Sequence, residues 1–395
     1  MAMLGNEGKL SPIRVLVISH ACVQRSWQRK FAEIGRQKEV EVVLLLPEYW
    51  IENYRIVELE NREDLNCKVV VGRAVWIGYG SRYFFISSFI NTLRTFRPDI
   101  IHLEQEPGSL VALQTVLYRN LFATHSKLIF RTSRSRRGSF GFTSTLKRAI
   151  FLRTIERLTY RNADFAFPLS QRALNLLRRK GYKKGAKALP NGVDVDMFKE
   201  LEVSSLKEDM GLSGFFVVGY VGRLSIEKGL SALLEAVAGI RQDIKLLFVG
   251  SGSCKSSLVD LAGRLNLGEK LILIDTVGQE RVPAYINCMD VLVLPSIATS
   301  QWEEYFGRVL VEAMACGVPV IGSDCGEIPN VIGDAGLIFE QNNSGDLRTC
   351  LMKIIDNNEL RNSLVGKGKE RVLDYFAWEK IAEETLRVYK QLYER

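Results

Sequence analysis

The sequence predicts an α/β protein built as two doubly wound parallel-sheet domains facing each other across a cleft. Three observations carry that expectation. Short continuous apolar runs alternate with helix-length amphipathic segments, the same strand and helix plan occurs twice, and 395 residues suit two domains that each bury a sizeable core. With 47% hydrophobic and 25% charged residues, the composition excludes a disordered chain, a collagenous one and a small disulfide scaffold.

In the first half, Ile13–Ser19, Val40–Leu46, Lys68–Val71, Ile100–Leu103, Leu128–Arg131 and Phe165–Leu169 read as strands. Gly108–Phe122 and Gln171–Lys180 read as helices between them, the second entered by Ser170 as N-cap and left at Gly181. Strands that are apolar throughout, rather than alternating, belong to a parallel sheet covered on both faces. The plan repeats with Phe216–Val221, Ile244–Val249, Leu271–Ile274, Val291–Leu294 and Val318–Gly322. Turn residues Pro190-Asn191-Gly192-Val193-Asp194 mark the boundary, which gives domains over 1–194 and 195–375 and a closing helix over 376–395 that packs back toward the first domain. In such sheets ligands bind beyond the carboxyl ends of the strands, so the chemistry is expected in the loops that follow them.

The net charge of +8 conceals a division. Residues 1–200 carry 33 Lys and Arg against 18 Asp and Glu, a balance of +15, and the remainder carries 20 against 27, a balance of −7. Residues 107–190 hold 18 basic side chains and two acidic ones, Glu156 and Asp164. One domain is therefore expected to face a polyanion or an anionic membrane surface, unless the charges form a merely solvated face. Nucleic acid is the weaker partner, because no helix-turn-helix, zinc or aromatic stacking signature accompanies the charge. The seven cysteines are scattered and lack the close spacing of metal or redox motifs, so they read as reduced core residues, with no metal site. No apolar run reaches the length of a membrane span, and the N-terminal residues lack a signal peptide's apolar core, so the protein is expected in the cytoplasm or peripherally on the inner membrane face.

Three segments could carry chemistry. After Phe216–Val221 comes Gly222-Arg223-Leu224-Ser225-Ile226-Glu227-Lys228-Gly229, two cations in a glycine-flanked loop entering a helix, which suits a diphosphate or is simply a solvated loop. After Ile244–Val249 comes Gly250-Ser251-Gly252-Ser253, a tight strand-to-helix turn that by itself is weak evidence for a ligand. The third runs from Trp302 to Ile321. It has Glu304 in a loop, Phe306-Gly307-Arg308 at a helix start and Glu312 inside an otherwise apolar helix. An acid there is expensive to bury unless donors such as sugar or ribose hydroxyls meet it; a surface pair of acids is the bland alternative.

With these residues in view, the second half resembles the donor domain of family 4 of the retaining, nucleotide-sugar-dependent glycosyltransferases. The likeness runs from Val218-Gly-Tyr-Val-Gly-Arg through Leu-Phe-Val-Gly-Ser-Gly, Val-Leu-Val-Leu-Pro-Ser, the Glu-x7-Glu segment and Gly326-Glu-Ile-Pro to Phe376-Ala-Trp378. In the first half, Ile101-His-Leu-Glu-Gln-Glu-Pro-Gly-Ser-Leu110 and Pro190-Asn-Gly-Val-Asp194 are similar to acceptor-domain and linker segments of bacterial members that build surface polysaccharides. The resemblance implies the GT-B fold, two Rossmann-like domains, with the acceptor bound by the first and a nucleotide-diphosphate sugar, as substrate, by the second. It further implies that Arg223 and Lys228 hold the diphosphate and neutralise the departing nucleotide, and that Glu304 bonds hydroxyls of the transferred sugar. By the same likeness the Phe306 and Gly307 backbone reaches sugar and phosphate, Glu312 accepts the ribose hydroxyls, and the loop at Val277 flanks the base. Gly222, Gly250, Ser251 and Arg308 complete the donor side. No cofactor or metal is implied.

The chain departs from the family twice. Ser19-His20-Ala21-Cys22-Val23-Gln24-Arg25 stands where many relatives have a glycine-rich loop, and Arg134 stands where they have a sugar-contacting His. The acceptor side is accordingly assigned to His20, Glu104, Glu106 and Arg134. His102, within a strand, reads as a core residue. The expected activity is transfer of a sugar to a saccharide or polyprenyl-linked acceptor, with an anionic membrane met through residues 131–161. Alternatives are a nucleotide-sugar epimerase or phosphorylase of the same fold, and a non-catalytic binder of nucleotide sugar or polyanion.

Overall fold

The computed structural model describes residues 11–52, 55–60, 65–133, 146–300 and 302–394. The chain divides into two compact units, Met1–Leu189 with Ile381–Arg395, and Pro190–Lys380.

The first unit is built on a seven-stranded sheet in the spatial order Gly185–Ala186, Phe165–Pro168, Lys127–Thr132, Ile100–Leu103, Ile13–Ile18, Val40–Pro47, Lys68–Gly72. Every pairing in it is parallel. Read from the far edge in chain order this is 3-2-1-4-5-6-7, the doubly wound arrangement with one added edge strand. The apolar runs are strands because helices cover both faces of the sheet, so all four residues of Ile100–Leu103 are buried. Helices Leu110–Phe122 and Gln171–Arg179 begin at Ser109 and Ser170, whose side chains accept from the backbone N–H of Ala112 and Ala173. Two short hairpins, Tyr49–Glu52 with Arg55–Glu58 and Ala74–Val75 with Phe84–Phe85, were not expected from the sequence. They bring Trp50, Tyr83 and Phe85 into the core beside Leu16, Leu45 and Leu103.

The second unit has a six-stranded parallel sheet in the order Leu271–Ile274, Ile244–Val249, Phe216–Val221, Val291–Leu294, Val320–Ser323, Gly336–Phe339, which is 3-2-1-4-5-6. Its fifth strand begins at Val320 rather than at the expected Val318. Helix Arg308–Ala315 ends in a left-handed Gly317, whose N–H reaches Met314 carbonyl, while Val318 N–H reaches Ala313 carbonyl. Gly317 and Val318 thus close the helix and are unavailable to the sheet. All seven cysteines are free thiols, five of them buried. Among the described residues no helix is long and apolar enough to cross a membrane.

Candidate active site

Each sheet has a point where the strand order reverses. In the second unit it lies between Phe216–Val221, which runs out into Gly222 and Arg223, and Val291–Leu294, which runs out into Pro295 and Ser296. The connections leave these two strands in opposite directions and open a crevice at their carboxyl ends.

Lys228, Glu304 and Ser296 meet there. Lys228 Nζ lies 2.5 Å from Glu304 Oε2, and Ser296 Oγ donates to the same oxygen at 3.0 Å. The indole of Trp302 stands 4.7 Å from Lys228 Nζ, a cation–π contact. Side-chain exposure is only 13% for Lys228 and 12% for Glu304, so each has given up most of its water. Desolvation of such a pair nearly cancels its attraction. Ligand groups able to replace each partner, a phosphate for the ammonium and hydroxyls for the carboxylate, can therefore open it at small cost.

The backbone around the pair is fixed by two close approaches. Gly326 has φ +58°, and a Cβ there would stand 2.1 Å from the Glu304 carbonyl oxygen, which also accepts from Glu327 N–H at 2.9 Å. Gly250 has φ +143°, and its Cβ would stand 2.0 Å from the Gly222 carbonyl oxygen. The two glycine turns after neighbouring strands thus pack backbone to backbone, as only glycine allows. Arg223 is exposed, and its carbonyl accepts from the Tyr220 hydroxyl at 2.8 Å. Burial raises the pKa of that phenol, so it stays a donor.

Helix Arg308–Ala315 starts from Gly307 in the left-handed region. Phe306 is buried against Phe376, with centroids 5.7 Å apart. The donor for the buried acid is internal, since Arg308 Nε donates to Glu312 Oε1 at 2.8 Å one turn back along the same helix. Ser251 Oγ donates to Asp275 Oδ1 at 3.2 Å and accepts from Thr276 N–H, and Lys255 Nζ reaches the same Asp275 oxygen at 2.5 Å. Val277 is half-buried in the loop that follows.

In the first unit the order reverses between Ile13–Ile18 and Ile100–Leu103. His20 lies beyond the first strand, and Glu104, Gln105 and Glu106 lie beyond the second. Glu104 is engaged by its own chain. Lys30 Nζ makes a short contact to Oε1, His102 Nε2 lies 3.3 Å from Oε1, and Arg131 Nε lies 3.6 Å from Oε2. Burial opposes the charge on Glu104, but Lys30 and Arg131 outweigh it and hold the carboxyl down at about 2. Burial lowers the pKa of Lys30 and pushes His102 down to about 3. His102 is a core residue, its Nδ1 2.5 Å from the Tyr389 hydroxyl and its ring packed on Phe31 and Phe167. Glu106 accepts from Thr132 Oγ1 at 2.7 Å and from Ser133 N–H and Oγ at 2.8 Å. It pins the end of strand Lys127–Thr132. Arg134, Arg136 and Arg137 lie outside the described residues.

The model for "Glycosyl transferases group 1" matches residues 205–371, and that for "Glycosyl transferase 4-like domain" matches residues 24–192. The chain belongs to the family 4 type of glycosyltransferases. It is 34% identical over 212 residues to the phosphatidyl-myo-inositol mannosyltransferase of Mycobacterium leprae, a match that takes in 51% of this chain and 52% of that protein. Its matches span 44% to 65% of the length of such curated relatives. Two solved GT-B structures cover nearly the whole chain. Sucrose-phosphate synthase from Thermosynechococcus elongatus has a TM-score of 0.73 at 21% identity, over 97% of this chain and 99% of its own. Anabaena Alr3699/HepE in complex with UDP has a TM-score of 0.72 at 15% identity, over 96% and 100%. The fold is GT-B.

Of the residues singled out in the sequence, the glycosyltransferase fold joins Lys228 to Glu304, Arg308 to Glu312 and Gly222 to Gly250. Ser296, Trp302, Lys30 and Gln105 were missed. Trp302 and Ser296 lie within motifs already quoted, which was their only signal. Lys30, in a helix of mostly polar residues, gave none. Among the described residues no group of three or more His, Cys, Asp or Glu is placed to hold a metal.

Proposed function

We propose that the protein is a retaining glycosyltransferase that moves a sugar from a nucleotide-diphosphate sugar to a saccharide or lipid-linked acceptor in surface polysaccharide synthesis. The observation that carries this is the Lys228–Glu304 pair at the reversal point of the second sheet, with Arg223 in the same loop as Lys228. Lys228 and Arg223 take the diphosphate, while Glu304, released from Lys228, accepts hydroxyls of the transferred sugar. Glu312, held by Arg308, offers its remaining oxygen to the ribose, and the loop at Val277 flanks the base. The bond from anomeric carbon to diphosphate oxygen breaks with its electron pair leaving on the diphosphate, where the two cations stabilise the growing charge. The acceptor hydroxyl oxygen then bonds the anomeric carbon on the face just vacated, and its proton passes to the released diphosphate. In the first unit, Glu104 and Glu106 act by positioning neighbouring groups, because their own chain already engages both.

The test is donor binding by calorimetry with UDP-glucose and GDP-mannose, followed by transfer assays. Glu304→Gln is expected to lower kcat/KM about 10²–10³-fold with the fold intact, and Arg223→Ala to weaken donor binding. Full activity in both variants overturns the site. Conversion of the nucleotide sugar without acceptor favours an epimerase instead.

A further inference from the structure

We propose that His20 serves the acceptor side as a neutral hydrogen-bond donor, locked by Gln105 in the tautomer that carries its proton on Nε2. It is thereby excluded as the base for the transferred hydroxyl. The acceptor role rests on the transferase reading above; the locked tautomer does not.

The orientation of the Gln105 amide is fixed at both ends. Its Oε1 accepts from Glu106 N–H at 2.8 Å, and its Nε2 lies 2.9 Å from the Gly80 carbonyl oxygen. A backbone N–H can only donate and a carbonyl can only accept, so flipping the amide would oppose like to like at each end. The amide nitrogen is therefore real, and its second hydrogen points to His20 Nδ1 at 3.1 Å. That ring nitrogen must present its lone pair, which leaves the proton on Nε2. Trp50 and Tyr83 pack on the ring, with centroids at 4.3 and 5.5 Å.

The surroundings oppose charging. Burial pushes His20 down to about 4, against the pull of Glu104, whose charge Lys30 and Arg131 share. The Tyr83 phenol, itself raised by burial, stays neutral. His20 nevertheless keeps part of its ring exposed, and its Nε2–H has no hydrogen-bond partner among the described residues. It stands at the reversal point of the first sheet, where ligands of doubly wound domains bind. With Nδ1 occupied and Nε2 protonated, the imidazole can give a hydrogen bond and cannot take a proton. An acceptor-saccharide oxygen fits that donor.

Histidine-selective ¹⁵N labelling reads the tautomer directly, because the chain has only three His, assigned with His20→Gln and His125→Gln. Long-range ¹⁵N–¹H spectra are expected to show His20 protonated on Nε2 alone and unchanged from about pH 5.5 to 8.5. Gln105→Leu should release the lock and give mixed tautomers. Protonation on Nδ1, or a titration midpoint within that range in the wild type, overturns the proposal.

Kinetics reads the role, with UDP-glucose or GDP-mannose as donor and octyl glucoside, galactoside, mannoside or N-acetylglucosaminide as acceptor. His20→Phe keeps the packing on Trp50 and should raise acceptor KM about 2–10-fold, as loss of one neutral hydrogen bond does. Donor affinity and the pH profile of kcat should stay as they were, and His20→Gln, which keeps an N–H near the Nε2 position, should stay within about twofold of wild type in KM. A 100-fold fall in kcat, or loss of one limb of the pH profile, would make His20 a base and overturn the proposal. Failure of the wild type to bind either donor, or to transfer to any of the four acceptors, removes the acceptor role and leaves the spectra to decide the tautomer.

Discussion

Replacing Glu104 by Gln keeps shape and removes charge, and it leaves Lys30 buried with its nearest counter-charge gone. Lys30 has 3% side-chain exposure and Glu104 12%, so solvent screens little of the change. Breaking a buried pair by removing one partner costs about 3–5 kcal/mol. The Glu104 carboxyl gives an independent figure. Its descent from the usual 4.5 to about 2 corresponds to about 3 kcal/mol at neutral pH. The sign follows from linkage. A carboxyl depressed in the folded state contributes stability that is complete above pH 4.5 and disappears as pH falls toward 2. Lys30, whose pKa is itself lowered by burial, returns part of this, so the pair as a whole is worth less than the cost of breaking it.

Urea unfolding of the full chain, followed through the transition of the first unit, should therefore place Glu104→Gln about 3 kcal/mol below wild type at pH 7. The gap should narrow by about 2 kcal/mol between pH 5 and pH 3, because the carboxyl of the unfolded wild-type chain, at its usual 4.5, takes up its proton there while the folded one, held at about 2, stays charged. Lys30→Met with Glu104→Leu should recover at least half of the loss, since Arg131 keeps the Leu189 carbonyl at 3.4 Å. A single-variant loss under about 1 kcal/mol, or a gap insensitive to acid, would refute the reading of this cluster as a buried, mutually dependent pair.

Two further outcomes are expected. Gly250→Ala forces a Cβ toward the Gly222 carbonyl at a φ suited to glycine, so the second unit should lose about 1–3 kcal/mol and bind UDP more weakly by calorimetry; unchanged affinity would detach the glycine turns from the donor site. Tyr389→Phe removes the hydroxyl 2.5 Å from His102 Nδ1 and leaves a buried imidazole nitrogen unpaired, which should cost the first unit about 1–3 kcal/mol in the same urea experiment.

The sheets were legible because a strand buried on both faces must be apolar throughout. Val291–Leu294 has the same limits in the sequence and in the structure for that reason. Gly336–Phe339 escaped notice because it opens on a glycine, packed so closely that a Cβ would stand 2.5 Å from the Val320 carbonyl oxygen. The hairpins at Tyr49–Glu52 and Ala74–Val75 are too short for periodicity to register. At the site, residue types and family likeness pointed to Lys228 and Glu304, but spacing within a chain cannot say that side chains 76 residues apart touch. Lys30 was unreadable on principle. A lysine in the helix Arg25–Gly35 looks solvated until Glu104, 74 residues on, is folded against it. Glu106 shows the complementary limit, a carboxylate whose hold on Thr132 and Ser133 appears only once the chain is folded.

The balance of +15 in residues 1–200 is open to the same sorting, and it sharpens the expectation of a membrane. Several of those cations are engaged internally: Lys30 and Arg131 at Glu104, Lys180 at Glu156, Lys187 at Glu384 and Arg119 at Asp164. Arg153, Arg157 and Arg161 are exposed on helix Leu146–Asn162, and their spacing places them on one face with the exposed Ile150. An exposed apolar residue on a basic helical face suits an anionic bilayer better than a nucleic acid, whose phosphates give it nothing to bury against. With about 1 kcal/mol from each cation near an anionic surface, reversing all three to Glu should weaken sedimentation with phosphatidylserine vesicles by roughly 100-fold or more. Added salt should do likewise in the wild type. Charge reversal at Lys180 and Lys187, which already have carboxylate partners, should have a smaller effect on vesicle binding. Equal losses from the two sets would mean that total charge, rather than this face, meets the membrane, and no sedimentation at low salt would mean that the face meets something else.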